Sequence, residues 1–226
     1  MSCKKKAIVV ILVFIVNYSF CQEYRKDSTD FNAWYTFSLV KEIGRNWKIN
    51  TDINFRFIHD ARTLNETFFI IGASKKINKK FELLADMRSG YSKLINSHRL
   101  TFGGEYSHEY KRWVFSLRGY FQEAVLHYKQ SDIDVVFKSF WRTRVKFNYK
   151  ITDKTEAYLS FEPVMRVGAT NFVDQYRTGA GINYRINERF KLAFLYLHRT
   201  DYSKPNYLEN FETISNTLTY FIKNKS

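Results

Sequence analysis

The chain has 226 residues, with 36 Lys and Arg against 22 Asp and Glu, a formal net charge of +14 and an aromatic share of 18%. Mean hydropathy is −0.40, and after residue 21 no apolar run approaches the ~18 residues of a spanning helix, which excludes a helical membrane protein. Both cysteines, Cys3 and Cys21, fall within the first 21 residues, so the rest of the chain has no disulfide and no thiolate metal ligand.

Residues 1–21 read as a cleaved secretory signal peptide. Lys4, Lys5 and Lys6 form a basic start, Ala7 to Val16 an unbroken apolar stretch, and Ser19-Phe20-Cys21 a small-x-small cleavage site. Acylation of Cys21 is the competing reading, disfavoured by the bulky Phe20 before it. Residues 22–226 then form a single domain, exported and free of disulfides.

From Trp47 onward the sequence alternates. Trp47, Ile49, Thr51, Ile53, Phe55 and Phe57 interleave with Lys48, Asn50, Asp52, Asn54 and Arg56. Successive side chains leave a strand on opposite faces, so one face is apolar and the other polar. The alternation predicts eleven strands, at 32–41, 47–58, 66–77, 81–92, 98–110, 113–126, 137–151, 155–167, 175–186, 190–200 and 211–222. Each is longer than the usual 5–6 residues of a globular sheet and matches a tilted strand crossing a bilayer. Pro163 has no donor for a ladder, and a bulge is expected there. Bacterial single-chain barrels have even strand numbers, so residues 22–31 stand as a candidate twelfth strand, a segment threading the interior, or a sign of miscounting.

Turns alternate as well. Those at 43–47, 77–81, 110–113, 151–155 and 186–190 are tight, whereas those at 59–65, 93–97, 127–136, 168–174 and 201–210 are mostly longer and more polar. The tight ones share a signature, strongest in "KKINKKFEL" (75–83) and "YRINERFKL" (184–192). It returns about every 35 residues, one full hairpin out and back. The predicted architecture is an all-β, antiparallel up-and-down transmembrane barrel of about 10–12 strands, with short periplasmic turns and longer extracellular loops.

Two residue sets follow. Trp47, Phe81, Trp113, Tyr149, Tyr184 and Phe190 flank the tight turns, where an aromatic girdle meets the membrane–water interface. Asp52, Arg56, Asp86, Arg88, Arg99, Glu105, Arg118, Glu123, Arg142, Arg144, Lys146, Glu156, Glu162, Arg166, Arg177 and Arg185 are assigned to the polar face and would line the lumen. Charges of both signs in a narrow interior either pair into a filling plug or select anionic solutes. Interior width grows with strand number, and a filled or very narrow interior is favoured.

No catalytic or metal motif accompanies this pattern. His59, His98, His108, His127 and His198 are scattered, without a His-x-x-His pair or cysteine ligand. Ser97-His98 and Ser107-His108 point to opposite faces of a strand. No serine–histidine–acid set converges on one exterior site, so neither enzymatic activity nor a cofactor is expected. Spread along turns and polar faces, the basic residues suit lipid phosphates better than nucleic acid.

Four stretches carry a family resemblance: "FNAWYTFSL" (31–39), "IGRNWKINTDINFRF" (43–57), "SHRLTFGGEY" (97–106) and "DQYRTGAGINYRINERFKLAFLYLHR" (174–199). The chain resembles, over nearly all of residues 22–226, the outer-membrane β-barrel family called domain of unknown function 2490, common in Bacteroidota. The resemblance implies an outer-membrane barrel and supplies no activity or catalytic residues. One departure is "KNKS" (223–226), which follows the aromatic strand end on which assembly signals usually stop. The expected partners are outer-membrane lipids and the barrel-assembly machinery, with the chain a monomer. Two alternatives stand beside an outer-membrane barrel with a structural or narrow-passage role: an outer-membrane lipid-modifying hydrolase, and an exported soluble lipocalin-like binding barrel.

Overall fold

A computed structural model describes residues 30–129, 135–168, 172–204 and 207–222. The signal segment, Cys21, residues 22–29 and the "KNKS" tail lie outside the described residues. Eleven strands run in chain order: β1 (Asp30–Ile43), β2 (Trp47–Ile58), β3 (Thr63–Lys76), β4 (Phe81–Ser92), β5 (Ile95–Tyr110), β6 (Trp113–Tyr128), β7 (Val135–Lys150), β8 (Thr155–Val167), β9 (Phe172–Arg185), β10 (Phe190–Lys204) and β11 (Tyr207–Ile222). They form one closed barrel in which every strand has two neighbours.

Closure with eleven strands among the described residues overturns the expectation of an even number. An up-and-down meander of eleven strands ends travelling in the direction in which it began. The first and last strands therefore meet in parallel, from Asp30↔Phe211 to Lys41↔Ile222 without a break. All other neighbouring strands pair antiparallel, as in the register Trp34↔Arg56 between β1 and β2.

Most strands exceed their predicted limits at the end opposite the tight turns, so the loops there are shorter than the sequence suggests. The 93–97 loop contracts to Lys93 and Leu94, and β3 begins at Thr63 rather than 66. Polarity marks where a strand stops needing an apolar face; pairing continues beyond that point. In β3 the alternation also changes phase, because Asn65 is an extra residue at a bulge opposite Arg56 and Phe57. The bulge expected at Pro163 falls one step later, at Val164/Met165 against β9. Against β7, the ladder omits only the pairs that Pro163 and Glu162 would make.

The burial pattern is that of a water-soluble protein turned inside out. Large apolar side chains on one face are exposed, with Leu100 at 60%, Leu159 at 63% and Phe137 at 73%, while Asn32, Ser97, Thr101, Ser116, Asn148 and Thr213 are buried. In a closed cylinder the exposed face is the outer wall and the buried face the lumen. A lipocalin-like barrel requires the reverse arrangement.

The repeated turn signature has a direct physical cause. Asn78 Oδ1 accepts the backbone N–H groups of Lys80 and Phe81 at 2.8 and 2.9 Å. Asn187 Oδ1 does the same for Arg189 and Phe190 at 2.8 and 2.9 Å. The N–H of Ile77 reaches the carbonyl of Phe81, and that of Ile186 the carbonyl of Phe190, each at 3.0 Å. Such side-chain–backbone bonds make asparagine a turn former. In the weaker copy Thr152 takes its place, accepting from Lys154 and Thr155 at 3.2 and 3.0 Å.

One connection is strained. His59, Asp60 and Ala61 have φ of 52°, 56° and 60°, three consecutive left-handed residues without glycine. That conformation costs about 1–2 kcal/mol per residue. Asp30, at the start of β1, offsets part of it by accepting the amides of His59 and Asp60 at 3.3 Å each.

Candidate functional site: the charged interior

Strand parity carries the polar residues of β2, β4, β5, β6, β7, β8 and β9 into one lumen, where cross-strand pairs decide the contacts. Glu162 is the hub. Its side chain is 7% exposed and meets both Arg142 and Arg177, the latter at 3.5 Å. Arg142 bonds Glu162 Oε1 through Nε at 3.0 Å and through a second, shorter contact, and donates to Gln122 Oε1 at 3.1 Å. Arg177 also donates to Gln175 Oε1 at 2.6 and 3.0 Å. Arg118 and Glu105 face each other across β5 and β6 in a direct ion pair. Arg166 pairs with Asp174 at 2.6 Å, and Arg99 with Asp86 at 3.7 Å.

Two predicted arginines stack on aromatic rings instead of pairing with carboxylates. The Arg88 guanidinium lies 3.9 Å from the Phe68 ring centre. Arg56 lies 4.3 Å from Phe68 and 4.0 Å from Trp34. Guanidinium groups suit this role because they are planar and weakly hydrated. Phe68 is 1% exposed although it points into the lumen. It fits because its cross-strand partner is Gly90, where an added Cβ would come within 2.6 Å of the Phe68 ring.

The remaining predicted residues are placed as follows. Arg144 has Arg118 and Glu162 as electrostatic neighbours. Arg185 is exposed, at the tight-turn mouth, where it lines a cavity of about 310 Å³ with Lys150, Glu156, Asn183 and Lys191. A second cavity of about 440 Å³ at the same mouth is lined by Lys76, Lys80, Glu82, Glu105 and Ser107. Trp47, Phe81, Trp113, Tyr184 and Phe190 are exposed on the outer wall beside the tight turns. Tyr149 packs against Trp113 with ring centres 4.8 Å apart and the rings tilted by 50°.

One charged assignment is corrected. Glu123 faces outward, because it lies between Leu100 and Ser139 across its two ladders and accepts the Ser139 hydroxyl at 2.7 Å. The sequence reading also missed inward aromatics. Phe211 stacks under Arg199 at 4.1 Å, and Tyr158 under Lys146 at 3.8 Å. Phe68-Phe69 and Ile70-Ile71 carry the missing signal, since consecutive apolar residues in a strand must supply both faces. Among the described residues, no group of three His, Cys, Asp or Glu side chains could hold a metal ion.

A closed cylinder with an apolar outer wall and an ionic interior defines a β-barrel of the transmembrane class. The chain belongs to the family described as Protein of unknown function (DUF2490), whose model matches residues 31–210. Among solved structures, it is similar to the NanC porin, with 12% identity, a TM-score of 0.51, and coverage of 80% of this chain and 94% of that one. It also aligns with the beta domain of the Bordetella autotransporter BrkA at 10% identity and a TM-score of 0.47, over 75% of this chain and 81% of that one. At these identities the likeness concerns the fold alone. No curated protein matches the sequence.

Proposed function

We propose that the chain is an integral outer-membrane barrel whose lumen is packed shut at mid-depth, so that the charged interior is structural and not an open diffusion pore. The observation that carries this reading is Phe68, fully buried inside the cylinder under the guanidinium groups of Arg56 and Arg88. Elsewhere in the lumen Arg99, Arg118 and Arg142 are tied to Asp86, Glu105 and Glu162 on neighbouring strands, holding the wall together from within. The tight turns face the periplasm and the opposite ends face the exterior. Trp47, Phe81, Trp113, Tyr149, Tyr184 and Phe190 form the inner girdle, and the lysines and arginines beside them reach lipid phosphates. Lipids and, during insertion, the barrel-assembly machinery are its partners, and the barrel acts as a monomer. No reaction and no nucleic-acid binding are assigned to the interior.

Planar-bilayer recording of the refolded protein tests this. The wild type should give no steady steps, and Phe68→Ala should open a small conductance that favours anions, because arginines line the gap. Steady wild-type channels of open-porin size would overturn the reading.

A further inference from the structure

The outer wall of a membrane barrel should be apolar, because polar and ionisable groups facing hydrocarbon are costly. On β10 and β11 it is not. His198 faces outward between Thr178 on β9 and Glu212 on β11. Its Nδ1 lies 2.8 Å from Glu212 Oε1, and the histidine and glutamate side chains are 43% and 28% exposed. On the other side of the ring, His198 Nε2 lies 3.3 Å from Thr200 Oγ1. Thr200 reaches it because residues two apart on a strand share a face. The Thr200 hydroxyl lies 3.0 Å from Asn210 Oδ1 as well.

A hydroxyl, an imidazole and a carboxylate thus stand in line, each within hydrogen-bond reach of the next. That is the geometry of an activated nucleophile. Glu212 orients the ring by accepting Nδ1–H, which leaves Nε2 free to take the hydroxyl proton. The depth of the site is informative too. From Phe190 to His198 a strand rising about 3.3 Å per residue and tilted about 40° climbs roughly 20 Å, close to the far edge of the ~25 Å apolar band. The ester carbonyls of lipids lie at such an edge.

We propose that Thr200, His198 and Glu212 form an acyl-transfer site on the outer wall, acting on the carboxylic esters of membrane lipids. Thr200 Oγ attacks the ester carbonyl carbon as its proton passes to His198 Nε2. The carbon–oxygen bond to the lipid alcohol breaks, and Nε2 returns the proton to that leaving oxygen. Water, deprotonated at Nε2, then attacks the carbonyl carbon of the acyl-threonine, the carbon–Oγ bond breaks, and Nε2 returns the proton to Thr200 Oγ. The net reaction turns ester and water into fatty acid and alcohol. In the resting site the Thr200 hydroxyl donates to Asn210 Oδ1, and it turns to His198 Nε2 as it attacks. This chemistry departs from the absence of activity expected from sequence. The two ladder partners that matter, His198 and Glu212, lie 14 residues apart on consecutive strands, and only the register of that hairpin brings them face to face.

A comparable pair elsewhere on the wall serves as a control. Ser89 Oγ lies 3.1 Å from His98 Nδ1, with His127 edge-on at 5.8 Å, and among the described residues no carboxylate completes the line. The test uses the full chain folded into phosphatidylethanolamine vesicles, with fatty-acid release as the readout and heat-modifiable gel mobility as the check on folding. Wild type should release fatty acid. Thr200→Val and His198→Asn should each lower the rate at least about 100-fold with folding intact. Thr200→Ser should keep activity, Glu212→Gln should shift the pH profile, and Ser89→Ala should behave as wild type. An acyl adduct trapped on Thr200 would place the chemistry. Folded wild type that releases no fatty acid, or Thr200→Val as active as wild type, would overturn the proposal. The proposal rests on the membrane-facing reading of the outer wall; failure of that reading would show separately, as protein washed from the membrane by sodium carbonate.

Discussion

Glu162→Gln tests the interior directly. The wild-type carboxylate is nearly sealed from solvent and serves Arg142 and Arg177 from two other strands. At about 4 Å and an effective dielectric near 20, each such pairing is worth about 4 kcal/mol before desolvation is subtracted. Removing one member of a buried pair costs about 3–5 kcal/mol, because the partner charge stays buried without compensation. Glutamine keeps an acceptor for one guanidinium, so a loss of about 3 kcal/mol is expected. Two comparison variants set the scale. Glu105→Gln deprives a single, partly exposed arginine, Arg118, and should cost less. Glu109→Gln breaks a pair with Lys150 in which both side chains are more than 40% exposed, and should change stability by no more than about 0.5 kcal/mol. The assay is urea unfolding in lipid vesicles, followed by tryptophan fluorescence. Glu162→Gln within about 1 kcal/mol of wild type, or Glu109→Gln as costly as Glu162→Gln, would refute the reasoning.

Phe68→Ala should cost about 3–5 kcal/mol in the same unfolding assay, as expected for deleting a buried ring, and the same variant should conduct in a bilayer. Gly90→Leu should mimic it, because a larger side chain at Gly90 displaces the Phe68 ring. Asn187→Ala and Asn78→Ala each remove an acceptor shared by two backbone amides, and should each lower stability by about 1 kcal/mol and slow refolding. Ala61→Gly should raise stability by up to about 1 kcal/mol by relieving a left-handed alanine, whereas Asp30→Ala should lower it by a similar amount.

Strand existence and facing were legible because a period of two is a strong local signal, clearest in β2 and β7. The tight turns were legible because Asn78 and Asn187 bond their own backbone, a cause confined to a few residues. Three things were not local. The parallel seam of β1 and β11 depends on the parity of the whole strand count, which no segment carries. The phase change in β3 comes from one inserted residue, Asn65, between Leu64 and Glu66, and it shows only in the pairing with β2. The third is which side chains meet across strands. Alternation gives the face of Glu162, Phe68 or Glu212 but not its partner, because partners follow from the register between neighbouring strands. Glu123 shows the cost of judging face by charge alone. Its position in step with Phe121 was the better guide, and it lies outside.

The central claim is that the apolar wall meets lipid while the ionic face is enclosed, and the four tryptophans allow it to be measured. Trp47, Trp113 and Trp141 are exposed on the outer wall, whereas Trp34 lies in the lumen against Arg56. Single-tryptophan variants would be folded into vesicles of lipids brominated along their acyl chains. The outer-wall tryptophans should be strongly quenched, each by bromine at its own depth, and Trp34 should be insensitive. Quenching of Trp34 by acyl-chain bromine, with Trp141 open instead to aqueous iodide, would contradict the account.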